Sequence, residues 1–113
     1  EKISDRAHDP HRRDIIAFHA PGSGDLLVKR VVAIAGDSVG IEDGVLVVNG
    51  RPLRESFVDY NLMDATYFGP VLVPANAVFT MGDNRSNSID SRRFGPVRTT
   101  QIVGRVVVRI PLP

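Results

Sequence analysis

The sequence predicts an all-β domain of antiparallel strands, coiled into sheets or a barrel. Ten Gly and eight Pro punctuate short apolar runs, the spacing of strands and turns rather than of helices. The runs themselves are rich in Val, Ile and Phe, which suit a pleated and half-buried surface. Nowhere do apolar residues recur at helical spacing over a dozen positions, and there is no internal repeat.

The elements follow in order. "DIIAF" (14–18) reads as a first strand and "DLLVKRVVAIA" (25–35) as a long second one. "SVGIEDGVLVVNGRPL" reads as two strands joined at Glu42-Asp43-Gly44, with Asn49-Gly50 supplying a further tight turn. Residues 59–70, "DYNLMDATYFGP", have no clean period and read as a surface excursion, and "NAVFTMGD" and "QIVGRVVVRI" complete the set of strands.

Length and composition narrow the function. One domain over 1–113 is expected, long enough for a single core without staples. The net charge of +1 argues against a nucleic-acid binder driven by phosphate neutralisation. With no cysteine, disulfides and thiolate metal sites are excluded. No apolar run approaches the roughly 18 residues of a membrane span. The opening "EKISDRAHDPHRR" does not read as a natural start, so a fragment of a longer chain is expected. His8, His11 and His19 make no case for a Ser/His/Asp arrangement, since two fall in that polar opening.

Two places carry chemistry. In "DLLVKRVVAIA", alternation puts Leu27, Lys29 and Val31 on one face and Val28, Arg30 and Val32 on the other. Both faces are otherwise apolar, so at least one cation lies on a face that reads as buried. One reading is a cation that snorkels to solvent from an edge strand. The other is a desolvated lysine: burial disfavours the ammonium, and a neutral amine takes a proton from a hydroxyl. Periodicity does not choose between Lys29 and Arg30.

The second place is "MGDNRSNSIDSRRFGPV" (81–97), a dense polar loop between two core strands. Each residue alone is explained by a solvated turn. Together they read differently: Asp83 and Asp90 suit bidentate pairing with Arg, Gly82 permits close backbone approach, and Ser86, Ser88 and Ser91 offer hydroxyls to a neighbouring amine. A rigid polar loop beside a buried lysine would orient it.

"VKRVVAIAGDSV" and "GDNRSNSIDSRRFGPV" closely resemble the two C-terminal signature boxes of type I signal peptidases, the Ser/Lys proteases that cleave signal peptides from exported preproteins. "RRDIIAF" resembles a third box, usually R-G-D-I-V-V-F, with Arg13 where the family generally has Gly. The resemblance implies the family's β fold, here without a large cap insertion, and it implies roles. Lys29 would be the general base and Ser88 would hold its amine. Gly82 would allow the close approach, while Arg30 with Asp83 and Asp90 with Arg92 would fix the loop. Ala17 and the run Leu26, Leu27 and Val28 would line shallow pockets for small side chains one and three positions before the cut, with the substrate added as a strand. No metal or cofactor is implied. The implied partners are signal peptides of preproteins and the membrane lipid surface, not nucleic acid, with the domain on the extracytoplasmic side of the cell membrane.

The family's Ser-Met-x-Pro nucleophile box has no counterpart here, since Ser4, Ser23, Ser38 and Ser56 all lack it. The expectation is therefore a catalytic domain whose serine lies upstream, inactive as these 113 residues. Two other readings stand beside it: a non-enzymatic relative that binds peptides, and the self-cleaving repressor family, which shares the dyad but not the long loop.

Overall fold

The computed structural model describes residues 9–55, 58, 67–86 and 88–107, and the backbone of 2–4. Its strands are β1 (Lys2–Ser4), β2 (Ile15–His19), β3 (Leu26–Ile34), β4 (Ser38–Glu42), β5 (Val45–Val48), β6 (Arg51–Leu53), β7 (Phe68–Leu72), β8 (Ala77–Met81), β9 (Val97–Arg98) and β10 (Ile102–Val107). Among the described residues a short helix, α1 (Ser91–Phe94), and a 3-10 turn, Thr99–Gln101, interrupt them. The strands form a six-stranded sheet in the order β1-β10-β2-β3-β8-β9 and a four-stranded sheet in the order β6-β5-β4-β7. Neither closes on itself, so the coiled-sheet form of the expectation holds and the barrel form does not. Every pairing is antiparallel.

Turn chemistry sets the small sheet. Asp43 and Gly44 have φ of 50° and 80°, and Asn49 and Gly50 have 53° and 79°. Two successive positive φ values are what a two-residue hairpin turn needs to match the strand twist, and Asx-Gly provides them cheaply. The expected hairpins at both sites are thus observed. The expected excursion at 59–70 is corrected at its end: Phe68–Leu72 pairs with β4 as an edge strand, while residues 59–66 lie outside the described residues. Gly69 and Pro70 hid that strand, because both are depleted from strand interiors and Pro is confined to edges.

Two apolar clusters hold the sheets. Val32, Ala33, Ala77, Phe79 and Met81 of the large sheet pack against Val39, Ile41, Leu46 and Val48 of the small one, with Val73 between. Phe68 adds a tilted ring contact to Phe79 at 5.8 Å. The opposite face of the large sheet curls around a second cluster of Ile16, Phe18, Val31, Val78, Val97 and Ile102. Phe94 of α1 closes it edge-on against Phe18, with ring centroids 6.1 Å apart. β8 and the second half of β3 therefore have apolar neighbours on both faces, which is why all five residues of β8 are buried and why neither stretch shows a clean apolar–polar alternation.

The junction between the sheets is pinned by charge. Asp37 is 5% exposed and accepts two bonds from the Arg12 guanidinium, at 2.7 and 2.9 Å. It also accepts the Ile34 amide and the Asn49 side chain, both at 2.9 Å. The Arg12 pairing, aided by those two donors against the cost of burial, holds the Asp37 carboxyl down at about 2. A carboxyl with a lowered folded-state value stabilises the fold above its unfolded value near 4, and that stability is lost as pH falls through the folded value. Arg12→Ala is expected to cost about 1–2 kcal/mol at neutral pH, the half-exposed guanidinium head limiting the effect. Urea titrations of both proteins across pH would show the gap narrowing between about pH 4 and pH 2; a gap independent of pH would show that the pair is not what Arg12 contributes.

Candidate active site

The site forms where β8 leaves β3. Their pairing ends at Arg30↔Met81, so Leu26 to Lys29 pair only with β2 among the described residues. The loop from Gly82 crosses the vacated flank. Lys29 stands opposite Ile16 in the ladder, on the face of the Phe18 and Val31 cluster. That face bears the second apolar cluster, yet the lysine is only half-buried, since no strand among the described residues pairs with that flank. Its Nζ donates to Ser88 Oγ at 3.1 Å. Both line a cavity of about 310 Å³ with Ile15, Val28, Arg30, Gly82, Asp83, Asn84 and Val106.

Gly82 makes the contact fit. A Cβ there would collide with Ser88 Oγ, lie 2.7 Å from Ser88 Cβ and come within 3.6 Å of Lys29 Nζ. The requirement is one of space, since Gly82 has no unusual φ. Its amide donates to Asp90 Oδ2 at 3.0 Å.

Asp90 is fully buried and performs several tasks at once. It caps α1 by accepting the Arg92 amide at 3.1 Å and binds the Arg92 guanidinium at 2.9 and 2.7 Å. Burial opposes its charge, but the Arg92 guanidinium and the Gly82 amide outweigh that, and its carboxyl is held below the ordinary range. On the other side of the cavity, Arg30 pairs with Asp83 through two bonds of 2.9 and 3.0 Å. Hydrogen bonding to Asp83 raises the Arg30 guanidinium further above its usual value. A third bond from Arg30 reaches the Arg13 carbonyl at 2.9 Å. Arg13 has a φ of 77°, so it keeps the left-handed backbone that a glycine adopts freely, at some strain for a larger residue. An amine held against a hydroxyl among paired charges is an arrangement from which a neutral amine can accept a proton from a further hydroxyl.

The family model described as "Signal peptidase, peptidase S26" matches residues 1–111. The chain belongs to the signal peptidase family. It is 38% identical to a signal peptidase I of Leptolyngbya laminosa over 96% of its own length and 57% of the relative. It is also 38% identical to a probable signal peptidase I of Synechocystis over 100% of this chain and 54% of that one. A thylakoidal processing peptidase of Arabidopsis thaliana is 40% identical over 96% of this chain and 35% of its own. The chain thus spans little more than half the length of the first curated relatives it matches. Among solved structures, a signal peptidase I from Enterococcus faecalis superposes with a TM-score of 0.76 at 32% identity, covering 88% of this chain and 98% of that one. Both are mostly antiparallel β, in keeping with the expected fold class.

Of the residues the signal peptidase resemblance singled out, the structure brings Lys29, Ser88, Gly82, Arg30 and Asp83 to one cavity, with Asp90 and Arg92 directly behind it. The apolar set divides. Val28 lines the cavity and Leu26 is 57% exposed, whereas Leu27 packs toward the second cluster. Ala17 has no accessible surface, because it sits between Val28 and Gly104 in the ladders; the cavity is lined instead by Ile15 and Val106. Sequence reasoning missed Arg85 and Glu55, which pair bidentately at 2.7 and 3.2 Å. Ser91, expected to offer its hydroxyl to a neighbouring amine, instead accepts the Thr80 backbone amide at 2.9 Å. No three metal-ligating side chains cluster among the described residues.

Gly82→Ala is expected to cost about 1–3 kcal/mol by overpacking against Ser88. Combining it with Ser88→Gly, which removes the obstructing side chain, should recover much of that loss, with a coupling of about 0.5–3 kcal/mol. Simple additivity in a double-mutant cycle of unfolding would mean the two positions do not meet.

Proposed function

We propose that this domain is the catalytic part of a membrane-associated serine endopeptidase that removes signal peptides from exported preproteins, cutting after small residues at −3 and −1. The observation that carries this reading is the Lys29 amine, 3.1 Å from the Ser88 hydroxyl over the bare backbone of Gly82, in a chain of the signal peptidase family. A neutral amine has two N–H groups and one lone pair. Anchoring one N–H on Ser88 leaves the lone pair to be aimed at another hydroxyl.

That hydroxyl belongs to a serine outside these 113 residues, as the family's nucleophile box implies. The serine oxygen attacks the scissile carbonyl as its proton passes to Lys29 Nζ. When the tetrahedral intermediate collapses, the C–N bond breaks and the lysine ammonium protonates the departing amine. Water then gives a proton to Lys29 and attacks the acyl-serine, and the serine takes that proton back as it leaves. Atoms and charges balance with no metal or cofactor. Only a neutral amine can take the proton; a nucleophile segment that covers the half-buried lysine would bring the hydroxyl to it.

The flank of β3 from Leu26 to Lys29, which has no strand partner among the described residues, suits an extended substrate. A chain added there gains main-chain bonds, and alternate side chains fall on one face, which yields the −1 and −3 pattern. Exposed Leu26 and Val28 give a shallow apolar surface for small groups. The domain acts on the extracytoplasmic side of the membrane, where such substrates emerge. No helix among the described residues is long and apolar enough to cross a membrane.

With the nucleophile segment present, Lys29→Ala and Lys29→Arg should each lower preprotein cleavage by about a hundredfold or more, the contribution of a positioned general base. Cleavage at the wild-type rate in either variant would remove Lys29 from the mechanism. Ser88→Ala should lower kcat about tenfold through misorientation of the amine, with an unchanged melting temperature. Equal loss of stability and rate would make Ser88 a loop residue only.

A further inference from the structure

Gly82 is held from both sides, and Arg85 is what closes the hold. The Asp90 carboxylate takes the Gly82 amide; Arg85 Nε donates to the Gly82 carbonyl at 2.7 Å. Arg92, bound to Asp90, donates from Nη1 to the Arg85 carbonyl at 2.8 Å. The bonds form a circuit from Gly82 through Asp90, Arg92 and Arg85 back to Gly82. The remaining guanidinium nitrogens of Arg85 are occupied by Glu55, which follows β6 at the end of the small sheet.

We infer that Arg85, seated by Glu55, is a positioning residue for Lys29 that acts through the Gly82 carbonyl; the inference rests on Lys29 serving as the base. Both side chains are nearly inaccessible, at 2% and 8% exposure. Burying such a pair is costly, and an apolar pair of similar volume is often as stable or more so. Stability is therefore a weak reason for its presence, and orientation a strong one. The guanidinium is a planar fork, so two bonds to Glu55 fix its plane and thus the direction of the third bond to Gly82. Because Ser88 lies against Gly82 with no room for even a Cβ, any shift of that backbone changes where Ser88 and Lys29 meet. Glu55 thereby links the small sheet to the reactive amine.

The test uses the protein with its nucleophile segment, in detergent, carrying Arg85→Lys, Glu55→Gln or Glu55→Asp. Lysine keeps the charge but cannot serve the Gly82 carbonyl and both Glu55 oxygens in one plane. Well below the melting temperature, kcat on a signal-peptide substrate should fall about ten- to hundredfold in Arg85→Lys and Glu55→Gln, with KM within about twofold. The labelling rate of Lys29 by an amine-reactive reagent should change severalfold in the same two variants. Glu55→Asp, which keeps the charge pair, should recover most of both. Wild-type kcat and wild-type labelling in folded Arg85→Lys would overturn the inference. If that variant does not fold, Glu55→Gln decides by the same two measurements. Absence of cleavage by the unmodified protein would sink the peptidase reading instead, and the labelling comparison would still decide whether Arg85 positions the amine.

Discussion

Everything at this site depends on a contact that only a missing side chain permits. Ser88 and Lys29 meet across Gly82, and the space a Cβ would occupy is the space they use. Such a contact is useful only if the glycine does not move, and glycine is the residue whose backbone moves most readily. The rigidity must come from outside it. Asp90 supplies it at the amide and Arg85 at the carbonyl, while the covalent neighbour Asp83 is tied to Arg30 on β3. The loop is polar because hydrogen bonds fix a direction and apolar packing does not.

The ion pairs divide by burial into two kinds. Arg12–Asp37 has one half-exposed partner and pins a junction between sheets, where losing it costs stability. Arg85–Glu55 and Arg92–Asp90 are largely removed from water, where desolvation offsets much of the attraction. Those inner pairs contribute geometry: each arginine also reaches a main-chain carbonyl, at Gly82 or at Arg85. Arg30 stands between the two kinds, pairing with a partly exposed Asp83 while holding the Arg13 carbonyl.

Much of the fold was legible because local chemistry forced it. Asp43-Gly44 and Asn49-Gly50 have few alternatives to tight hairpin turns, and the Val- and Ile-rich runs became the central strands. β7 was not legible, since Gly69-Pro70 reads as a breaker unless one knows the strand lies at a sheet edge. The choice between Lys29 and Arg30 was closed to periodicity for a related reason. β3 packs on both faces, so alternation carries no sign, and only the motif resemblance and then the Ser88 contact favoured Lys29. Arg85 and Glu55 are thirty positions apart, with no spacing rule to connect them. Ala17 shows the converse limit: a pocket role taken from resemblance met a side chain sealed between two neighbouring strands.

The exit of β8 from the sheet ties fold to chemistry. Had β8 continued past Met81, its backbone would have paired with Lys29, Val28 and Leu26, and an added chain would find no free edge. Stopping there opens the edge but also strips cover from the lysine, which is half-buried as a result. On the proposed function, the group that covers Lys29 and a substrate that docks by strand addition compete for the same flank of β3. The polar loop resolves part of that conflict by turning back over Lys29 with one small side chain, Ser88, and leaving Leu26 to Val28 clear. The cover still lacking over the amine lies where a nucleophilic hydroxyl and a scissile peptide would have to arrive. On that reading the base is completed by the same groups on which it acts.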